Sequence, residues 1–296
     1  MKIMKMFCMS FGWALALGFV HAQTVAPAAL EGPISSIQQA GANVNVVVMG
    51  ITVRVRPATV ITTPTATLTL AQLLDTTPLP GRSEAGFVGG TAIVEGNTTA
   101  AGVVIADTLF VEPAENVVIG IVTENSAGVL KVNGMAVTML ADTRIPAEPL
   151  RNDLGFEIAR EAITVGTIVA LEGYYSASSQ ALQAFILEAT GIPALNPGLQ
   201  VSILRAQGRA DRGELEVRGG VSGVPAGATV AVQIRAPRAN GTSRLLGTVT
   251  AVADVLAGTY TYRFRAQGIT PFPANIFARI VRAGETAESA TTEVSL

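Results

Sequence analysis

An internal repeat constrains the fold of this chain more than any other feature of the sequence. Residues 48–53 align with residues 132–137, and the match continues without a gap to Thr59 and Thr143. Further anchors keep the same order in both copies, pairing Gly32 with Gly120, Val94-Glu95-Gly96 with Leu171-Glu172-Gly173, and Glu112 with Glu188. Three of these anchors include a glycine, so we interpret the first two-thirds of the chain as two copies of one folding unit.

Each copy has the pattern of five short β-strands, rich in Val, Ile and Thr and separated by turn residues. In the second copy the predicted strands span about residues 117–124, 128–132, 135–140, 167–174 and 181–188. Asn133-Gly134 is a strong two-residue hairpin signal, because the turn it favours needs a positive φ at both central positions. Met49-Gly50 is the poorer equivalent, since only its glycine suits such a turn.

The longest connection in each copy lies between the third and fourth strands and holds a short helical candidate. These candidates are residues 68–74 and 154–162. Five strands with a helix at this point follow the order of an OB-like barrel, although a different small barrel would give a similar pattern. The sequence therefore predicts an all-β chain with two tandem small five-stranded barrels, at residues 31–115 and 116–190, packed closely together.

A third region follows a Gly/Pro-rich linker at residues 191–199. About seven strand-like runs, several alternating at period two, occupy residues 200–296 and are separated by turn signals such as Asn240-Gly241. This number and spacing predict an immunoglobulin-like β-sandwich. The prediction concerns architecture alone, because the Cys and Trp hallmarks of antibody domains are missing.

The first 22 residues have the pattern of a cleavable signal peptide. Lys2 and Lys5 form a short positive region, an apolar run covers residues 6–20, and Val20-His21-Ala22 precedes the expected cut. The alternative is an uncleaved membrane anchor, but the run is short of the roughly 20 apolar residues that a spanning helix needs. We expect a bacterial protein that is periplasmic or secreted, with residues 23–30 as an unfolded linker and no transmembrane segment after processing.

Cleavage would remove the only cysteine, tryptophan and histidine of the chain, which are Cys8, Trp13 and His21. It would also remove Lys2 and Lys5, leaving 18 of the 20 basic residues against 22 acidic ones. The processed chain could then form no disulfide, no Cys/His metal site and no histidine-based proton relay. A mildly acidic balance also lacks the electrostatic driving force for nucleic-acid binding. The sequence thus predicts a non-enzyme with no catalytic residues, no cofactor and no metal.

The repeat resembles a domain family of unknown function found in exported bacterial proteins, often in tandem. The residues that carry the resemblance are Gly120, Asn133-Gly134, Thr143, Gly166 and Gly173 in the second copy, and Gly32, Gly50, Thr59, Gly89 and Gly96 in the first. The first copy departs from the pattern at Met49, where an asparagine is expected. The resemblance implies a β-barrel and an exported setting, and it implies no activity. The C-terminal region is similar in outline to bacterial immunoglobulin-like modules.

Carboxylates at matching positions of the two copies, Glu95 with Glu172 and Glu112 with Glu188, raise the alternative of a glycosidase or a calcium site. A glycosidase needs two carboxyl groups flanking one bond. A calcium ion needs six to eight oxygen ligands, normally from clustered acids. Each glutamate here lies singly at a predicted strand end, so we interpret all four as structural.

Two pairs of side chains are candidate ligand-binding residues. Arg54 and Arg56 alternate with valines, as Arg263 and Arg265 alternate with aromatic residues. Such arginines either pair with an anionic ligand or form a water-facing sheet surface that opposes edge aggregation. Tyr174-Tyr175 ends a predicted strand, and adjacent residues point to opposite faces, so one ring is expected to be exposed for stacking on a sugar or a protein.

Together these features predict an exported, non-enzymatic binding or structural module of the bacterial cell envelope. The expected partner is another envelope or extracellular protein, reached through strand edges and loops. The alternative is an oligosaccharide-binding protein that uses an OB-like barrel face. An enzyme would have to work with carboxylates or tyrosine alone.

Overall fold

The computed structural model describes residues 26–126, 128–254 and 258–295. Over these residues the protein is all-β, with two closed five-stranded barrels followed by a third, nearly closed barrel-like sheet. The predicted fold class is therefore confirmed. The predicted signal peptide, residues 1–22, lies outside the described residues.

The first barrel follows the strand order predicted from the repeat. Its elements are β1 (Ala26–Ala40), β2 (Asn43–Val48), β3 (Ile51–Val55), β4 (Val60–Thr62), β5 (Thr67–Leu68), α1 (Leu70–Leu74), β6 (Thr91–Thr98) and β7 (Val104–Glu112). The barrel closes in the order β1-β2-β3-β7-β6-β1, and the β3–β7 pair is parallel. Thr69 caps α1 in a capping box with Gln72. The helix therefore begins at Leu70, two residues after the start of the predicted helix 68–74.

The second barrel repeats this topology with the same parallel closure. Its elements are β8 (Asn116–Ser126), β9 (Val129–Val132), β10 (Met135–Met139), β11 (Arg151–Asn152), a 3-10 helix (Arg160–Ala162), β12 (Ile168–Ser176) and β13 (Ala181–Ala189). It closes in the order β8-β9-β10-β13-β12-β8, with β10 parallel to β13. Both barrels thus have the five-strand order of an OB-like fold.

The helix predicted at residues 154–162 is wrong for most of its length. The Asn152 side chain accepts hydrogen bonds from the backbone N–H groups of Leu154 and Phe156, at 3.1 and 3.0 Å. Gly155 lies between them with a φ of +78°. A side chain that satisfies these donors locally competes with a helical ladder, so only the last turn, Arg160–Ala162, is helical.

The hairpin between the second and third strands explains why the first copy departs from the expected pattern. Asn133 and Met49 both adopt a positive φ, of 51° and 50°, and each side chain lies over a glycine of the first strand, Gly120 or Gly32. The Asn133 Oδ1 atom accepts a hydrogen bond from the Ile121 N–H at 3.0 Å. Proline occupies the equivalent position, Pro33, and has no N–H to donate. Methionine is therefore tolerated at position 49 because no donor is left without an acceptor.

The predicted unfolded linker at residues 23–30 is wrong from Ala26 onward. Residues 26–33 pair with Thr91–Thr98 of β6, so that β1 runs for 15 residues. The consecutive Ala and Pro residues hide the alternation in the sequence. This part of the strand is held by backbone hydrogen bonds that β6 would otherwise leave unpaired, and Ala28 and Leu30 pack against the core of the first barrel.

The third region is one nine-stranded, nearly closed sheet that folds over into two facing layers; its immunoglobulin-like type stays a prediction. Its strands are β14 (Gln200–Val201), β15 (Arg205–Arg209), β16 (Glu214–Ser222), β17 (Val230–Pro237), β18 (Ser243–Ala253), β19 (Tyr260–Ala266), β20 (Asn275–Arg282), β21 (Glu285–Glu288) and β22 (Thr292–Glu293). One layer contains β14, β15, β16 and β19, and the other contains β17, β18, β20 and β21. The long strand β18 pairs first with β17 and then with β19, which joins the layers and nearly closes the sheet.

The two barrels share one hydrophobic cluster. Leu140, Ile145, Tyr174 and Phe185 of the second barrel are buried together with the core residues of the first. The Tyr174 hydroxyl donates a hydrogen bond to the Pro80 carbonyl oxygen at 2.8 Å. The barrels therefore pack directly against each other, as predicted from the short connection between the copies.

Arg144 adds a buried polar contact to this junction. Its side chain is 3 % exposed and forms a two-pronged ion pair with Asp142, with nitrogen–oxygen distances of 2.9 and 2.8 Å. One guanidinium nitrogen also donates to the carbonyl oxygens of Asp75 and Thr77 in the first barrel, at 3.2 and 2.9 Å. The aligned residue of the first copy, Val60, is exposed, so this arginine serves the junction and not the barrel fold itself.

Ser202 links the third region to the second barrel and is held in place by contacts within the third region. The Ser202 hydroxyl donates to the Leu154 carbonyl oxygen and accepts from the Gly220 N–H at 3.0 Å. The Tyr262 hydroxyl donates to the Ser202 carbonyl oxygen at 2.6 Å. Within the described part of the chain, no helix has both the length and the apolar character needed to cross a membrane.

We predict that Arg144→Met destabilises the protein by about 3 kcal/mol, because it removes the guanidinium partner of Asp142 and of two barrel-junction carbonyls. Asp142 then keeps only the hydrogen bond from the backbone N–H of residue 144. Arg151→Met is the matched control, since Arg151 forms an exposed pair with Glu148 and should cost less than about 1 kcal/mol. Urea unfolding of both variants measures the difference. Equal stability of the two variants would contradict the assigned role of Arg144.

Candidate binding surfaces

An exposed apolar strip lies on the outer face of the second barrel. It consists of Val117, Ile119 and Ile121 on β8 and Ile168 on β12, and these side chains are 57, 71, 49 and 51 % exposed. The strand register places Ile168 opposite Ile121 and Ala170 opposite Ile119, so the strip is continuous across the two strands. Period-two alternation turns Val118 and Val122 inward and leaves this second apolar row facing solvent.

The first barrel shows that the fold does not require this strip. In the alignment of the repeats, the positions of Val117, Ile119 and Ile121 are occupied by Ala29, Glu31 and Pro33. Glu31 is exposed, like Ile119. In the first barrel Ile93, opposite Glu31, is 40 % exposed, but no large apolar side chain occupies the positions of the strip. Since both copies close in the same strand order, barrel closure does not explain the strip.

Carboxylates lie along one side of the apolar strip. Glu172 is opposite Val117 on β12, and Glu188 on β13 is opposite Ala170. Burial raises the pKa of Glu112, and the charges of Glu115, Glu172 and Glu31 raise it further. Burial likewise raises the pKa of Glu188, followed by the charge of Glu172. The strip is therefore bordered by glutamates that repel one another. We call Glu112, Glu172 and Glu188 the acidic border.

These glutamates do not form a recognisable metal site. Over the described residues, no group of three or more His, Cys, Asp or Glu side chains is arranged to hold a metal ion. Glu172 does lie near both Glu112 and Glu188. The sequence pattern had indicated that each of these glutamates lies singly at a strand end. The structural role assigned to the four repeated glutamates stays a prediction.

Tyr174 and Tyr175 point in opposite directions, and only one is accessible. Tyr174 is 2 % exposed in the barrel junction, and burial raises its pKa to about 12. The prediction of Tyr174 as a ligand-binding residue is corrected accordingly, because its ring already packs against the first barrel. Tyr175 is 50 % exposed and borders a groove of about 420 Å³ together with Arg82, Glu84 and Ser178.

Arg54 and Arg56 lie in the first barrel, away from the tyrosine groove. Arg54 is opposite Asn45 on the outer face of β2 and β3, and Arg56 forms an exposed 3.6 Å ion pair with Asp107. The Asn45 Oδ1 atom is buried and has no hydrogen-bond partner among the described residues. The two arginines and Tyr175 therefore belong to separate surfaces, since neither arginine lines the groove beside Tyr175.

A face of the third region is rich in arginine. Arg205, Arg218 and Arg263 are directly opposite one another on β15, β16 and β19, and all three are exposed. The neighbouring row places Arg265 opposite Glu216. We call this outer surface of β15, β16 and β19 the arginine face. Alternation along the sequence indicates Arg263 and Arg265 but not the row, because the members of the row come from three different strands.

Glu216 lies at the centre of the arginine face and binds three guanidinium groups. Arg218 Nε donates to it at 2.7 Å, Arg265 Nε at 2.8 Å, and Arg263 at 2.9 Å. Partial burial raises the pKa of Glu216, but the hydrogen bonds and charges of Arg218 and Arg265 together lower it below its ordinary value. Glu216 therefore stays charged and holds the surrounding guanidinium groups in place.

Charge is divided unevenly along the described chain. Residues 26–190 carry 7 basic and 15 acidic side chains, for a formal charge of −8. Residues 191–295 carry 11 basic and 7 acidic side chains, for a formal charge of +4. The two barrels are thus acidic, whereas the third region is basic.

No protein-family model matches this chain. No curated protein matches it either. The resemblance to an exported bacterial domain family therefore stays a prediction, and the surfaces described above are the basis for any functional assignment.

We predict that Glu112→Gln stabilises the protein at pH 7 and that this gain disappears in acid. The folded-state pKa of Glu112 is raised above 4.5, so its charge costs stability at neutral pH. As the pH falls through the raised folded-state pKa and then through the unfolded-state value of 4.5, the carboxyl becomes protonated in both states, so the gap to glutamine should close progressively. Thermal unfolding of both proteins between pH 7 and pH 4 measures the gap. If the stability difference between the two proteins stays constant or widens in acid, the charge of Glu112 does not destabilise the folded state.

Proposed function

We propose that this protein is an exported, non-enzymatic binding or structural module of the bacterial cell envelope that acts through protein–protein contacts. The observation that carries the proposal is the apolar strip of Val117, Ile119, Ile121 and Ile168. Contiguous apolar side chains in water are costly unless another molecule covers them, and such patches with polar surroundings mark interaction sites. The acidic border supplies the polar surroundings, and it would favour a partner with basic residues.

The comparison between the two barrels supports an interaction role in preference to a structural one. The fold is built equally well with Glu31 at the position of Ile119. Burial of Ile119 by a partner would remove a side chain of about 71 % exposure from water. Removal of apolar area from water is the main driving force of most protein association.

Export and the absence of catalysis are the sequence-based parts of the proposal. Export is supported by the charged and apolar pattern of residues 1–22. The non-enzymatic assignment is supported by what a processed chain would contain: its ionisable side chains would be carboxylates, tyrosines, arginines and one lysine, with no imidazole or thiol. A binding role needs none of the missing groups.

A second candidate is oligosaccharide binding by the β2–β3 face of the first barrel. This is the face that OB-like barrels use for extended ligands. The buried, unpartnered Asn45 Oδ1 atom favours it, because it lies opposite Arg54 and could accept a hydrogen bond from a sugar hydroxyl.

We expect Ile119→Glu, which installs the residue of the first copy, to weaken partner binding about tenfold or more by placing a charge in the strip. Its folding stability should change by less than about 0.5 kcal/mol, because the site is exposed. Crosslinking of purified protein to native envelope, read by mass spectrometry, identifies the partners, and titration with an identified partner gives the affinity.

Val252→Glu is the matched control, since Val252 is 68 % exposed on the third region, far from the strip along the chain. Partners that the wild type and Val252→Glu capture, and Ile119→Glu does not, would support the proposal. Equal capture by all three proteins would exclude the strip as the contact surface. Turnover of a substrate by the purified wild type would exclude the non-enzymatic role.

The sugar-binding candidate predicts that Arg54→Gln/Arg56→Gln weakens binding to a neutral oligosaccharide about tenfold, whereas Ile119→Glu leaves it unchanged. A glycan array with the wild type selects the probe, and calorimetry measures each variant. If the wild type binds no neutral glycan, this candidate is excluded without affecting the proposal of protein contacts.

A further inference from the structure

The row Arg205–Arg218–Arg263 is unfavourable for folding. Like charges directly opposite each other on adjacent strands destabilise a sheet. Neighbouring strands lie about 4.8 Å apart, which brings these side chains close together. A face that only meets water would be more stable with alternating signs. The row therefore needs an explanation other than the stability of the third region.

Glu216 compensates only part of this positive charge. The arginine face carries Arg205, Arg209, Arg218, Arg263 and Arg265 against Glu214 and Glu216. Glu216 binds three of the arginines, yet these remain 46, 46 and 61 % exposed on their side chains. The carboxylate thus fixes the guanidinium groups in position while leaving them accessible, which is the arrangement needed to bind an anion from solution.

A groove adjoins the arginine face and shares Glu216 and Arg265 with it. It has a volume of about 800 Å³, and its lining includes Gln207, Arg209, Glu214, Gln267 and Ser295. The amides, the hydroxyl, two carboxylates and two guanidinium groups of the lining offer both donors and acceptors. This lining suits a ligand rich in hydroxyl groups, whereas the adjacent arginine row suits its negative charges.

We propose that the arginine face and the adjoining groove bind an acidic glycan. The carboxylate, sulfate or phosphate groups of the glycan pair with Arg205, Arg218 and Arg263. Its hydroxyl groups bond to the amide and hydroxyl side chains of the groove. This site lies on the third region and does not depend on the protein contacts proposed for the apolar strip.

Two other classes of polyanion or partner fit the surface less well. Binding of single-stranded nucleic acid relies on exposed aromatic rings for base stacking, but Tyr260, Tyr262 and Phe264 of β19 point inward and are at most 5 % exposed. A protein partner normally needs a buried apolar or aromatic anchor. Leu215, the large apolar residue among those that line the groove, is 2 % exposed and packs in the core, so it offers no such anchor.

The experiment measures binding of the whole processed chain to oligomers of galacturonic acid, a sulfated dextran, a phosphorylated mannan, neutral dextran and single-stranded DNA. We expect at least one acidic glycan to bind with an affinity that falls as salt increases. Neutral dextran should not bind, and DNA should bind at least about tenfold more weakly. The acidic glycan that binds best identifies the anionic group.

Arg218→Gln/Arg263→Gln should weaken acidic-glycan binding about tenfold or more. Arg238→Gln/Arg282→Gln, which changes the charge of the same region equally on its other layer, should bind like the wild type. Thermal unfolding checks that the first variant is folded, and Arg205→Gln is the milder substitution if it is not. Arg54→Gln/Arg56→Gln should also bind like the wild type.

The proposal is overturned if no acidic glycan binds, or if DNA or neutral dextran binds equally well. It is also overturned if the two double variants of the third region lose affinity to the same extent, which would indicate a response to net charge. Loss confined to Arg54→Gln/Arg56→Gln would move the site to the first barrel and equally overturn it. None of these results bears on the crosslinking test of the apolar strip.

Discussion

The hydrophobic cluster shared by the two barrels is the interaction on which the rest of the structure depends. Small β-barrels bury a limited fraction of their surface and are marginally stable alone. Here Tyr174 and Phe185 of the second barrel are buried with Leu79 and Phe87 of the first. The described residues contain no cysteine, so burial has to do what disulfides do in many exported domains. Because the junction uses Tyr174 at the end of β12 and Phe185 on β13, the start of β12, with Ile168, and the outer face of β8 are left free for other contacts.

Much of this fold could be predicted from the sequence, because the repeat shows the same strand pattern in two copies. The strands that were missed have a common physical origin. Strands β15 (Arg205–Arg209) and β21 (Glu285–Glu288) lack apolar alternation, and the consecutive Ala and Pro residues at the start of β1 hide it. Such strands are held by backbone hydrogen bonds to a neighbour, and side-chain periodicity does not record that pairing. The helix predicted at 154–162 failed because the Asn152 side chain satisfies the backbone donors locally.

The candidate surfaces were harder to predict than the fold, for a related reason. Val117, Ile119 and Ile121 read as part of a buried strand, and only the packed structure shows that nothing in the described chain covers them. The arginine row brings together residues 205, 218 and 263, and no local pattern indicates that they share a face. Arg54, Arg56 and Tyr175 could be identified locally, since alternation reports which side of a strand a residue occupies. Alternation does not indicate which side of the strand another element of the fold covers.

The exchange of Glu31 for Ile119 between otherwise equivalent strands has a consequence for how this chain could have evolved. Duplication of a barrel supplies a spare copy of every surface position. The copy that keeps water-compatible residues can secure folding, while its twin accumulates apolar ones. In a lone barrel the same changes would threaten solubility before any advantage arose. With two copies, one barrel can maintain a stable fold while the other acquires an apolar binding surface.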